Sequence, residues 1–243
     1  MILLTRTVKD NNRFQQRLDN VGLKSIAFPC IRIVSAQLDK SEKETLHSID
    51  QLDWILFTSS NAVIHLIEQL HNYTIPLQSL SKIKIVAVGS ETAKTIKSAG
   101  LSVDFVPSEF TDRKLAEELP DIYGNKIFIP RSKNTDNRLL KLLEKKGGIT
   151  TSLPIYATVY YPPNNKHFSD LLQKGISRIT FTSGSCVLGF MKKVTDGSLR
   201  EKAFALPVVS IGPSTTKIAK ENGFRDIITA KTHTVDGMID TLK

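Results

Sequence analysis

The stretch Phe57-Thr58-Ser59-Ser60-Asn61-Ala62-Val63 returns as Phe181-Thr182-Ser183-Gly184-Ser185-Cys186-Val187, 124 residues later (181 − 57). Other landmarks keep nearly the same spacing: Arg6 with Arg131 and Gly22 with Gly147 at 125, Gly89 with Gly212 and Gly100 with Gly223 at 123. A near-constant offset running through a chain of 243 residues marks an internal duplication. Whatever one half folds into, the other must fold into as well.

Each half alternates apolar runs with amphipathic stretches. The runs are continuous: Ile2-Leu3-Leu4, Trp54-Ile55-Leu56, Ile85-Val86-Ala87-Val88 and Ile127-Phe128-Ile129. Continuous runs mark strands buried on both faces of a parallel sheet. Between them, Phe14, Leu18 and Val21 lie at helical spacing before Gly22, and Leu139, Leu140 and Leu143 before Gly147. Right-handed crossovers then give two similar doubly wound, flavodoxin-like α/β domains. Ala157-Thr158-Val159-Tyr160-Tyr161 is β-prone and stops at Pro162-Pro163. Paired with Cys30–Ser35, it makes a two-stranded antiparallel linker (about 30–35 with 157–162). Read from the duplication alone, the boundary falls near Tyr123-Gly124-Asn125.

Composition excludes several classes. No apolar run approaches the roughly 18 residues a membrane span needs, and Met1-Ile2-Leu3-Leu4 is cut short by Thr5-Arg6; a cytoplasmic chain is expected. Cys30 and Cys186 then read as free buried thiols. The five histidines have no metal-ligand spacing, so no metal is expected. The net charge of +9 suits a polyanionic partner as well as simple solubility. Aromatic residues make up only 7% and do not interleave with Lys/Arg runs, which disfavours nucleic acid.

The candidate site residues cluster at the expected carboxyl ends of strands, where open α/β sheets bind ligands. Thr58, Ser59, Ser60, Thr182, Ser183 and Ser185 offer small donors with no adjacent base and no GxSxG pattern, so they read as binding groups. Gly89-Ser90-Glu91-Thr92 and Gly212-Pro213-Ser214-Thr215 open helices, whose N-termini attract anions; ordinary N-capping by Ser or Thr explains them equally. There is no GxGxxG fingerprint, and no cofactor is expected. Arg6 and Arg131 follow strand ends, where a guanidinium can clamp a carboxylate or simply sit in solvent. Tyr156, at the mouth of the linker, is either a packed hinge residue or an acid.

Taken together and in order, Phe57-Thr58-Ser59-Ser60-Asn61-Ala62-Val63, Val88-Gly89-x-x-Thr92-Ala93, Ile129-Pro130-Arg131, Tyr156-x-Thr158, Phe181-Thr182-Ser183 and Ile211-Gly212-Pro213-x-Thr215 resemble the uroporphyrinogen-III synthase family over almost the whole chain. The resemblance implies a cofactor-free lyase that cyclises hydroxymethylbilane, a linear tetrapyrrole polycarboxylate, with loss of water and inversion of ring D. It implies that the substrate lies between the domains, with Tyr156 assisting the departing hydroxyl. Thr58, Ser59, Ser60, Gly89, Thr92, Thr182, Ser183, Gly184, Gly212, Ser214 and Thr215, with Arg6 and Arg131, would bind it. It also implies crossed domains, residues 1–33 with 163–243 and residues 36–156, acting as a monomer that meets hydroxymethylbilane synthase transiently. Gly184 stands where the family often has proline. The competing reading is a non-catalytic two-domain module that binds an anionic small molecule.

Overall fold

The computed structural model describes every residue except Phe110 and Asn134. In chain order the elements are β1 (Ile2–Leu4), α1 (Val8–Asp19), β2 (Ser25–Ala27), β3 (Ile31–Ser35), α2 (Lys40–His47), β4 (Trp54–Phe57), α3 (Ser60–Asn72), β5 (Lys84–Ala87), α4 (Ser90–Ser98) and α5 (Asp112–Glu118). The second half gives β6 (Lys126–Ser132), α6 (Arg138–Lys145), β7 (Ile149–Tyr160), α7 (Asn165–Gln173), β8 (Arg178–Phe181), α8 (Gly184–Lys193), α9 (Gly197–Phe204), β9 (Val208–Ser210), α10 (Pro213–Glu221), β10 (Ile227–Thr229) and α11 (Val235–Leu242).

Met1–Ile33 and Thr158–Lys243 form one compact unit, and Val34–Ala157 forms the other. The sheet of the first unit has the order β2-β1-β8-β9-β10, all parallel. Alternate residues of its strands feed opposite faces. Leu3, Ile179, Phe181 and Val208 join one apolar cluster, while Ile2, Leu4 and Val209 join another. Both faces are therefore covered, as the continuous apolar runs require.

The second unit repeats this plan. Its parallel strands run β7-β6-β4-β5, and Phe105 bridges Val86 at the far edge. The segment 103–106 contributes only that single bridge. Each sheet takes its first two strands from one copy of the duplication and the remainder from the other. The turn at Tyr123-Gly124-Asn125, read from the duplication as a boundary, instead lies inside the second unit and leads into β6. Periodicity repeats identically whether or not the copies exchange their first two strands, so it carries no trace of the exchange.

β7 is longer than the sequence suggests. It runs unbroken through Ile149–Tyr160, so the second strand of the copy and the linker strand are one element. β3 lies beside it. Ala36 N donates to Ile155 O (2.9 Å) and Tyr161 N to Cys30 O (3.2 Å), so residue numbers run in opposite senses along the two strands.

In the first unit α8 anchors the ends of both strands. Lys193, only 5% exposed, donates from Nζ to Pro29 O (2.5 Å) and lies over the rings of Phe28 and Tyr161. Burial pulls its ammonium pKa below the ordinary lysine value. Cys30 and Cys186 are free and buried, and burial pushes the Cys30 thiol well up, leaving it inert.

Candidate functional site

Sheets of the order 2-1-3-4-5 have one point where successive crossovers leave in opposite directions, and loops there splay apart to leave a crevice. In the first unit it lies between β1 and β8, and in the second between β6 and β4. The duplicated hydroxyl-rich turns sit at the carboxyl ends of β8 and β4; Arg6 lies just past the end of β1, whereas Arg131 lies within β6 and not beyond it as the sequence suggests.

At the β4 end, Ser59 is the N-cap of α3, its Oγ accepting from Ala62 N at 3.2 Å. The same Oγ lies 3.0 Å from the Tyr156 hydroxyl. Because Ala62 already donates to it, Ser59 can pass its own proton toward Tyr156 and leave the phenol proton unengaged. A phenolate formed there would then be stabilised through Ser59 by the positive end of α3. Burial raises the Tyr156 pKa above its usual value, and the Ser59 hydrogen bond opposes this. Ser59→Ala is accordingly expected to raise the phenol pKa further in an ultraviolet titration. Loss of the cap should also cost about 1 kcal/mol of stability in urea unfolding.

Ser60 donates to Glu91 O (3.2 Å), and Thr95 Oγ1 donates to Ser60 Oγ and Glu91 O (both 2.9 Å), tying the starts of α3 and α4 together. Thr58 borders a cavity of about 50 Å³ with Ile129, Arg131, Asp136 and Leu139. Arg131 Nη1 donates to Asp136 O (2.9 Å), bracing the loop before α6, while its buried Nε has no partner among the described residues. Thr92 is buried in the first turn of α4.

The first unit carries the matching parts. Ser183 caps α8 by accepting from Cys186 N (3.3 Å) and donates to Cys186 Sγ at 3.3 Å, while Thr182 Oγ1 lies 3.6 Å from that sulfur. Gly184 opens α8. A Cβ there would come within 2.2 Å of Ile218 Cδ1, so any larger residue needs Ile218 to turn aside. Arg6 Nη2 pairs with Asp10 at 3.4 Å. The Arg6 backbone is pinned by Asn11, whose Oδ1 accepts from Arg6 N (2.9 Å) and whose Nδ2 donates to Leu4 O (3.1 Å) and Arg6 O (3.2 Å). Ser214 is exposed on the first turn of α10, and Thr215 beside it is buried.

The glycine turns differ from the serine turns in one respect that matters. Gly89 and Gly212 are themselves the N-cap residues of α4 and α10, and neither helix start has a side-chain cap hydrogen bond. Ordinary capping by Ser or Thr is therefore not what these turns do. At α10 the first helical residue is Pro213, which has no N–H to offer, and His233 Cδ2 lies 3.3 Å from where a Cβ on Gly212 would stand.

Sequence reasoning missed a cluster beside Tyr156. His65 stacks on the Tyr156 ring with centroids 5.3 Å apart and planes 20° from parallel. His65 Nδ1 lies 2.8 Å from Ser35 Oγ and 3.0 Å from Glu68 Oε2, and Ser35 Oγ donates to that carboxylate at 2.6 Å. The spacing of the histidines along the chain carries no signal for this contact. Among the described residues no group of three or more His, Cys, Asp or Glu could hold a metal ion.

The geometry defines an open, doubly wound α/β protein with two sheets, each presenting hydroxyl-bearing turns and uncapped helix starts at its switch-point end. The model of the family described as Uroporphyrinogen-III synthase HemD matches residues 12–240, and the chain belongs to this family. It is 30% identical over 244 residues to the porphyrin biosynthesis protein HemD of Ruminiclostridium josui, covering 99% of this chain but 47% of that protein. The chain thus spans about half the length of that relative. It is 26% identical over 249 residues to the uroporphyrinogen-III synthase of Synechococcus elongatus, covering 98% of this chain and 92% of that one. The crystal structure of uroporphyrinogen-III synthetase from Helicobacter pylori superposes with a TM-score of 0.68 at 19% identity, covering 99% and 97% of the two chains, and shares the fold. Among the described residues no helix is long and apolar enough to cross a membrane.

Proposed function

We propose that this chain is a uroporphyrinogen-III synthase, a hydro-lyase that closes hydroxymethylbilane into uroporphyrinogen III with ring D inverted. The observation that carries the reading is the family match over residues 12–240, on a fold whose duplicated hydroxyl-bearing turns follow β4 and β8. Tyr156 gives its phenol proton to the leaving hydroxyl as the C–O bond breaks and water departs. The phenolate recovers a proton from the carbon that rearomatises after closure, so the residue ends as it began. The intermediate closes unaided to the uninverted isomer, so most of the task is orientation of ring D.

Thr58, Ser60, Gly89, Thr92, Thr182, Ser183, Gly184, Gly212, Ser214 and Thr215 hold substrate carboxylates through hydroxyls and backbone N–H groups, with Arg6 and Arg131 as charged partners. The surplus of positive charge supports capture of a polycarboxylate. Arg6→Ala and Arg131→Ala are expected to raise KM more than they lower kcat; the opposite split contradicts a ground-state clamp. The protein acts in the cytoplasm as a monomer and meets hydroxymethylbilane synthase only transiently.

We further propose that 1–33 with 163–243 and 36–156 are the folding domains, in line with the two compact units. Residues 1–122 expressed alone should then show no cooperative unfolding; a cooperative transition means sequential domains. The activity is tested by supplying freshly generated hydroxymethylbilane and chromatographing the oxidised porphyrins. Isomer III in excess is expected, whereas isomer I alone at the unassisted rate removes the proposal.

A further inference from the structure

The duplication supplies an internal control for the cluster around Tyr156. The counterparts of His65 and Glu68 at the offset of 124 are Gly189 and Lys192, and those of Ser35 and Tyr156 at 125 are Tyr160 and Ile31. The contacts themselves are preserved. Gly189 lies against Ile31, where a Cβ would come 2.9 Å from Ile31 Cγ2, as His65 lies against Tyr156. Lys192 Nζ sits 4.4 Å from the Tyr160 ring centroid, as Glu68 meets Ser35. The fold therefore needs a helix packed on a strand at this place, and glycine satisfies it. It does not need an imidazole held by a carboxylate and a hydroxyl.

The hydrogen bonds also fix how the imidazole is held. Glu68 Oε2 accepts from Ser35 Oγ, which spends the serine proton, so Nδ1 meets two acceptors and must carry the hydrogen. One tautomer and one ring plane result. The ring so fixed lies against the phenol face, while Ser59 holds the hydroxyl end.

We infer that His65, locked by Ser35 and Glu68, is a positioning residue that sets the plane of the Tyr156 ring and thereby aims its hydroxyl at the reacting centre. The inference rests on the acid role given to Tyr156 above. Misalignment of an acid by about 1 Å costs up to about 10²-fold in rate, and a phenol held only at its hydroxyl end can swing about the Ser59 contact. Ring stacking resists that swing without touching the substrate.

The test compares His65→Gln, His65→Phe and Tyr156→Phe in the full chain. His65→Gln removes the ring and is expected to lower kcat about tenfold while KM moves less than about twofold. His65→Phe restores a flat ring and should recover most of the loss. Independently of turnover, the Tyr156 ring resonances in ¹³C-tyrosine-labelled protein, assigned through Tyr156→Phe, should lose their ring-current shift in His65→Gln and regain one in His65→Phe. If His65→Gln keeps full kcat while Tyr156→Phe is impaired, His65 does not position the phenol and this inference falls alone. An unmoved Tyr156 resonance in His65→Gln overturns it too. If Tyr156→Phe itself retains full turnover, the acid role fails first, and the positioning inference fails with it.

Discussion

Tyr156→Phe is expected to lower kcat about 10²-fold while the protein remains folded, measured with freshly generated hydroxymethylbilane. That figure sits at the low end of what a positioned acid contributes, because the pyrrole nitrogen already pushes the hydroxyl off. The substitution removes one oxygen. Phenylalanine keeps the stack on His65, and Ser59 keeps its bond from Ala62 N, so neither packing nor the α3 cap is lost. KM should change little, since the lost interaction is made only as the bond breaks. Unaltered turnover would leave Tyr156 as a packing residue of β7.

The second large effect is on stability. Gly189→Ala in α8 should destabilise the protein by about 2 kcal/mol, within the usual range for overpacking. Two terms oppose one another. Alanine is the better helix former by about 1 kcal/mol, but its Cβ would come 2.6 Å from Cys30 O and 2.9 Å from Ile31 Cγ2. The clash wins, because Cys30 O is backbone and already accepts from Tyr161 N, so it is not free to move. At about 2–4 °C per kcal/mol for a chain of this size, the melting temperature should fall by roughly 4–8 °C. A raised melting temperature would mean that the strand yields and the helix gain dominates. The duplicate position makes the contrast sharper: His65 occupies the same place in α3, so what is tight there is the strand's approach and not the helix.

The duplication made the fold legible. Its apolar runs are the strands, its glycines end the helices, and its hydroxyl turns lie at the strand ends where ligands bind. What could not be read from the residues is which copy completes which sheet, since identical patterns fit either partner. The length of β7 was hidden for a related reason. Pro154 stands within the element, and Pro162-Pro163 closes it, so local signals break a strand that pairing with β6 keeps whole. The duplicated turns are visible because the two copies match there. The Ser35–His65–Glu68 cluster is the opposite case, visible only where the copies differ. Comparing His65 with Gly189 would have singled it out, since a glycine answered by a histidine is the largest break in an otherwise matched helix. Asn11, which pins the Arg6 backbone, carries no sequence signal beyond its position in the first turn of α1.

Ligand recognition is expected at the carboxyl ends of both sheets. Amide chemical-shift mapping with uroporphyrinogen III, kept reduced, tests it most directly. Perturbations are expected at Thr58–Ser60, Gly89–Thr92 and Tyr156 of one unit and at Thr182–Gly184 and Gly212–Thr215 of the other. Shifts confined to the opposite end of a sheet, such as the depression of about 510 Å³ lined by Leu77, Leu80, Ile83 and Leu101, would contradict it.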